Sequence, residues 1–181
     1  TSIKELESEL KSIYHTTYEK ERPRFKILRN EASNFDMNFY GHLVDEACTF
    51  PKSNQLEFDG HNFRSRFEMT VAQELKALGI TYKYDSGIQL TNRTIYPDFA
   101  LAFPEFNRCA FFEIMGLLND PKYVNDNIEK LRDYSNNGII LDNDVFTLGS
   151  SGTSMPNNTR IRQKIVSIIG ALCAMYVIPI S

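Results

Sequence analysis

Three carboxylates in this chain stand where carboxylates are costly. Asp98 follows a proline in Tyr96-Pro97-Asp98-Phe99, at the head of an apolar segment. Glu113 sits inside Ala110-Phe111-Phe112-Glu113-Ile114-Met115. Glu68 lies in Arg64-Ser65-Arg66-Phe67-Glu68, at the start of a helical pattern. An ionised carboxylate in apolar surroundings needs a cation, hydrogen bonds or both. A hard divalent cation takes such oxygen ligands. Two converging carboxylates stay ionised only with positive charge between them. A metal held this way lowers the pKa of a coordinated water and grips a phosphate oxygen. The chemistry in prospect is therefore metal-assisted hydrolysis of a phosphodiester.

Each residue has a plainer reading beside this one. Pro97 biases its predecessor towards extended backbone, and Asp98 then fits a strand or simply a turn. The interval to Glu113, with Pro104 to Arg108 as its connection, lets two strands pair with both carboxylates at one end. Glu113 could instead pair with a buried arginine, although apolar residues flank it on both sides. Glu68 is one helical turn after Arg64, on the side of Val71, Ala72 and Leu75, so it points towards a sheet. The alternative is a solvated Arg64–Glu68 pair, which contributes little. Arg64 and Arg66 open the helix, as phosphate contacts or as solvated charges. Lys130 and Tyr134 are one turn apart and share a helix face. There they either neutralise and bond a phosphate, or are a solvated lysine and a half-buried tyrosine.

These residues need elements to carry them. Ile3, Leu6, Leu10, Ile13 and Tyr14 predict a helix over residues 2–19. Residues 24–60 are hard to assign; Phe25, Ile27 and Leu28 could continue a helix. Ser65 to Leu78 reads as a helix closed by Gly79. Tyr82 to Leu90 and Ile95 to Phe103 read as strands, and Cys109 to Met115 as a central one. Pro121 to Asn136 reads as a helix ended by Asn137-Gly138. Val145 to Leu148 reads as a strand, and Thr159 to about Met175 as the last helix. The order from residue 64 is helix, three strands, helix, strand, helix.

With 181 residues, 42% of them hydrophobic, the chain is large enough for a real core. A formal charge of −3 excludes a uniformly basic surface, so nucleic-acid binding needs a local basic patch. The three cysteines and three histidines are scattered, with no CxxC. That argues against a zinc framework and for a reducing, cytoplasmic compartment. The apolar run Ile165 to Ile180 is short for a membrane span and reads as a buried terminal helix. The chain opens on Thr1, as a piece of a longer protein could.

The pattern resembles the PD-(D/E)xK nuclease superfamily of restriction-endonuclease-like folds. More closely it is similar to a bacterial and phage-type group within it. The matching residues are Arg64-Ser65 to Glu68, Gly79-Ile80-Thr81-Tyr82-Lys83-Tyr84 and Tyr96-Pro97-Asp98-Phe99. Glu113 to Gly116, Asp120 to Tyr123, Lys130 to Tyr134 and Asn137-Gly138-Ile139 complete it. The resemblance covers about residues 61–150. It implies an α/β core of α-β-β-β-α-β order. With the predicted terminal helices, the domain is expected over residues 61–181 with a C-terminal helix, and residues 1–60 as a helical and irregular N-terminal extension. It also implies hydrolysis of nucleic acid, above all DNA, with Mg2+ or Mn2+. Asp98, Glu113 and the Ile114 carbonyl would bind metal and Glu68 would support it. Arg64, Arg66 and Tyr134 would face the nucleic acid. The superfamily's lysine, two residues after the strand Glu, is Met115 here, and Lys130 is its expected replacement. The closer group usually has His where this chain has Ile114. Two alternatives follow: a nuclease-fold module that binds without cutting, or an assembly domain that pairs through its terminal helices.

Overall fold

The computed structural model describes residues 35–173, the segments Phe25–Arg29 and Met175–Pro179, and Glu5 and Ser8. Apart from Glu5 and Ser8, which are helical, the helix expected over residues 2–19 lies outside the described residues. Along the chain run β1 (Phe25–Arg29), α1 (Met37–His42), β2 (Glu57–Phe58), β3 (His61–Asn62), α2 (Arg66–Ala77) and β4 (Thr81–Tyr84). Then come β5 (Ile88–Gln89), β6 (Thr94–Ile95), β7 (Phe99–Phe103), a 3-10 turn (Pro104–Phe106) and β8 (Arg108–Met115). The last are α3 (Pro121–Asn136), β9 (Val145–Gly149), α4 (Asn158–Cys173) and β10 (Met175–Pro179).

Two compact units divide the chain, residues 1–30 with 174–181 and residues 31–173. In the first, β1 and β10 pair antiparallel, from Phe25 opposite Pro179 to Arg29 opposite Met175. Two readings change here. Phe25, Ile27 and Leu28 are extended and do not continue a helix. The apolar run from Ile165 is not one terminal helix: it leaves helix after Cys173 and becomes strand at Met175. Tyr176, Val177 and Ile178 are aromatic or β-branched, which favours a strand once a partner supplies the ladder.

The second unit is a mixed α/β arrangement around a four-stranded sheet of order β4-β7-β8-β9. The β4–β7 and β7–β8 pairs are antiparallel and β8–β9 is parallel. A parallel neighbour requires a crossover, and α3 lies in it. All eight residues of β8 are buried, as a strand covered on both faces demands. Ala110, Phe112 and Ile114 join one core with Phe67, Val71 and Leu75 of α2 and Ile161, Ile165 and Ile168 of α4. Cys109 and Phe111 join another with Tyr40 of α1 and Tyr134 of α3. The sheet is thus sandwiched between α2 and α4 on one face and α1 and α3 on the other.

The strand expected over Tyr82 to Leu90 is broken at Asp85, whose φ of 51° lies in the left-handed region. The chain resumes as the β5–β6 hairpin, with Ile88 opposite Ile95. The strand expected from Ile95 to Phe103 is likewise split, because Pro97 has no N–H for a ladder. The boundary drawn near residue 60 does not coincide with a break in packing. The Cys109 N–H donates to the Phe35 carbonyl at 2.8 Å and the Tyr84 N–H to Asp45 Oδ1 at 2.7 Å. Residues 35–60 therefore cap backbone groups of the same sheet. Among the described residues no helix is long and apolar enough to cross a membrane.

Helix α4 packs on α2 within the first core. Ile165 is fully buried, whereas Val166 is 54% exposed. Ile165→Ala should cost about 2–5 kcal/mol in urea unfolding. Val166→Ala should stay within about 0.5 kcal/mol of wild type. Equal costs at the two positions would mean that α4 does not pack as described.

Candidate functional site

Strand register brings acids together. Phe99 is opposite both Phe112 and Tyr84. Continuing each register by one residue sets Asp98 opposite Glu113 on one side and Asp85 on the other. The Asp85 N–H donates to the Asp98 carbonyl at 3.1 Å. Three acids therefore form a row across β4, β7 and β8, and all are buried: Asp85 completely, Asp98 to 7% exposure and Glu113 to 2%. Like charges directly opposite one another destabilise a sheet, so the row requires compensation.

Cations are interleaved with it. Arg64 Nη1 lies 2.7 and 2.9 Å from the two oxygens of Asp85, and Nη2 lies 2.6 Å from Asp98 Oδ1. The second oxygen of Asp98 accepts from the Ile114 N–H at 2.6 Å. Lys52 Nζ is 3.5 Å from Asp85 Oδ2. Lys130 Nζ donates to Glu113 Oε2 at 2.7 Å and to the Tyr96 carbonyl at 2.7 Å. The Tyr134 hydroxyl donates to the other oxygen of Glu113. Burial opposes the charge on Arg64, but Glu68, Asp98 and Asp85 hold its pKa above the ordinary value. Burial likewise opposes the ammonium of Lys130, and Glu113 and Asp98 raise it.

Glu68 reaches the cluster through its helix cap. Ser65 is the N-cap of α2, and its side chain accepts from the Glu68 N–H at 3.1 Å. In a capping box the glutamate returns to the cap's own N–H. Here Glu68 Oε2 accepts from the Arg64 N–H at 3.1 Å, one residue earlier, and from the Tyr84 hydroxyl at 2.7 Å. The Arg-Ser-x-x-Glu pattern thus has a local cause, which leaves Glu68 buried and close enough to Asp98 to feel its charge. Burial first, then Asp98, raises the Glu68 carboxyl, against Arg64 and Tyr84. Burial also raises Asp85, against Arg64.

Other motif residues act as fasteners. Asp120 caps α3 by accepting from the N–H groups of Lys122 and Tyr123. The Tyr123 hydroxyl accepts from the Gly116 N–H at 3.1 Å and donates to the Ile114 carbonyl at 3.3 Å. The carbonyl expected to hold metal is therefore hydrogen-bonded to tyrosine. Asn137 ends α3 and its side-chain oxygen accepts from the N–H and hydroxyl of Thr91, which docks the β5–β6 hairpin.

The structure brings Glu68, Asp98, Glu113, Lys130 and Arg64 together. Arg66 is exposed on the first turn of α2. Tyr134, expected against a phosphate, is fully buried and is spent on Glu113. Asp85 and Lys52 were missed: Asp85 falls inside the strand expected over Tyr82 to Leu90, and Lys52 lies in the stretch of residues 24–60 that no periodic pattern assigns. Cys48 and Cys109 are free thiols.

Four buried carboxylates, Glu68, Asp85, Asp98 and Glu113, meet three cations, Lys52, Arg64 and Lys130. Oxygen donors with surplus negative charge fit a hard divalent cation in chemistry. The carboxylates are nonetheless engaged by Arg64, Lys130, Tyr84 and Tyr134. Among the described residues no set of three His, Cys, Asp or Glu side chains is gathered to hold a metal. Arg64 and Lys130 also line a cleft of about 390 Å³, with Arg93 as a third cation. Comparisons with protein-family models, with curated proteins and with solved structures return no match.

Glu113 carries a pH signature. Burial first, with Asp98 beside it, pushes its carboxyl up to about 7 from 4.5, against Lys130 and Tyr134. Between those pH values the native state holds a proton that the unfolded chain has released. Stability contributed by Glu113 is therefore full below about 4.5 and is lost as pH rises through about 7. In chelator, the urea midpoint of wild type relative to Glu113→Gln should fall across that window. Parallel profiles for the two proteins would remove Glu113 as the titrating group.

Proposed function

We propose that this protein is a metal-dependent nuclease with a restriction-endonuclease-like core. It hydrolyses phosphodiester bonds of nucleic acid, DNA foremost, with Mg2+ or Mn2+. One observation carries the reading: Lys130 Nζ lies 2.7 Å from Glu113 Oε2, on the strand next to Asp98. The helix lysine supplies the cation that Met115 cannot, so two carboxylates and a lysine meet in one place. The order α2-β4-β7-β8-α3-β9 supports the same reading.

A divalent cation bound here would supply an activated water and polarise a phosphate oxygen. Asp98 and Glu113 would hold it, with the Ile114 carbonyl, and Glu68 would support it. Arg64 would release Asp98 Oδ1 and keep Asp85. The Lys130 ammonium has three N–H groups. Two go to Glu113 and the Tyr96 carbonyl, which leaves one for a phosphate oxygen in the cleft. There it offsets the negative charge that builds during hydrolysis. Tyr134 keeps Glu113 in register with Asp98. Arg66, exposed at the helix start, suits a flanking phosphate and makes binding salt-dependent.

A second reading, a module that binds nucleic acid without cutting, draws on Arg64, which stands 2.6 Å from Asp98 Oδ1, where metal would have to enter. Metal and cleavage assays separate the two. Mg2+, Mn2+ or Ca2+ should raise the melting temperature of wild type by binding the folded state, and Asp98→Asn should abolish most of that rise. An undiminished rise in the variant would move the metal elsewhere.

Lys130→Met should lower the cleavage rate by about 10²–10³-fold while leaving metal binding in place. Undiminished cleavage in that variant would end the role given to Lys130. A wild type that binds DNA yet leaves it intact in Mn2+ would give the second reading the lead.

A further inference from the structure

The cleft lined by Arg64 and Lys130 has features that phosphodiester hydrolysis does not require. Phe50 stands in its wall with 67% of its surface exposed. Tyr96 lines it too, half-buried, and its carbonyl is held by Lys130. The Tyr96 ring lies close over Gly87, where an added Cβ would meet it at 3.2 Å. That glycine lets the ring lie against the backbone. Arg93 lines the cleft and is ion-paired to Asp133 of α3. Among the described residues, Asp126 is the one acid in the lining.

We infer that this cleft receives one unpaired nucleotide, its base against Phe50 and Tyr96 and its phosphate on Arg64 and Lys130. The inference rests on the nucleic-acid reading of the carboxylate cluster and narrows its substrate to a strand with exposed base faces. Size comes first: about 390 Å³ is at the small end of ligand sites, room for a nucleotide-sized group and not for a duplex. The lining chemistry comes second. Arg64, Arg93 and Lys130 are each held by acids, so the donors they have left over are what suits a phosphate. Aromatic rings suit a base of any sequence, since every base has a π-face. Asp126 repels a bare anion but accepts a hydrogen bond from a base N–H, the N3–H of thymine included. In a duplex the base faces are stacked on their neighbours and reach such rings only after unpairing.

Fluorescence anisotropy tests this with the full chain, Ca2+ in place of Mg2+, a labelled dT10 strand and a blunt hairpin duplex. The strand should bind roughly tenfold or more tightly than the duplex, as expected when a stacked base contributes. Phe50→Ala should weaken strand binding by roughly 5- to 150-fold with duplex binding unchanged, and Phe50→Tyr should restore it. Matching thermal melts would show that the variants fold. Equal affinity for strand and duplex, or an indifferent Phe50→Ala protein, overturns the inference. Its failure and that of the nuclease reading are separable. Phe50-dependent strand binding without cleavage in Mn2+ leaves the inference standing and removes the nuclease. Cleavage of blunt duplex at full rate by Phe50→Ala does the reverse.

Discussion

Arg64 holds together a row of acids that strand register forces into proximity. Asp85, Asp98 and Glu113 occupy successive positions across three neighbouring strands, where their charges repel. Moving any one of them a residue along its strand would turn it to the other face of the sheet. The guanidinium engages Asp85 with one nitrogen and Asp98 with another, while Glu68 lies 3.6 Å from its Nε. A planar, permanently charged fork with several donors suits this task; a lysine has one compact charge. Removing such a partner from buried acids is far more damaging than never having buried them.

The two helices beside the row divide the remaining work. From α2 come the cap at Ser65 and, through it, the placement of Glu68. From α3 come Lys130 and Tyr134, both on Glu113, and Tyr123 at the end of β8. One face of α3 is therefore fixed to β8 at two levels, by Tyr123 near its start and by Lys130 and Tyr134 further on. That fastening sets where the Lys130 ammonium can be, and so how a substrate phosphate can approach.

Neutralisation by side chains and neutralisation by metal compete for the same oxygens. Three cations do not cancel four carboxylates; burial first, and the neighbouring acids after it, keep the carboxyls of Glu68, Asp85 and Glu113 raised. A site with one negative charge to spare can take a proton or a cation. The nuclease reading and the binding-module reading differ in which of these it takes.

Much of this site was legible in the sequence. The interval from Asp98 to Glu113, the alternation of β7 and β8 and the serine cap ahead of Glu68 are local patterns. Local patterns fix register and helix starts. The spacing of Lys130 and Tyr134 put both on one face, and that face met Glu113. Tertiary structure alone decided the rest. Asp85 joined because β4 ends in a left-handed turn beside Asp98, and Lys52 because residues 35–60 pack on the same sheet. The last apolar residues became strand because β1 offered a ladder. Arg64 could have been solvated; instead it crosses to Asp85 and Asp98, 21 and 34 residues away. Ion pairs over such separations leave no periodic trace in a sequence. They form only where the fold has already made leaving the charges unpaired more costly than ordering the side chains.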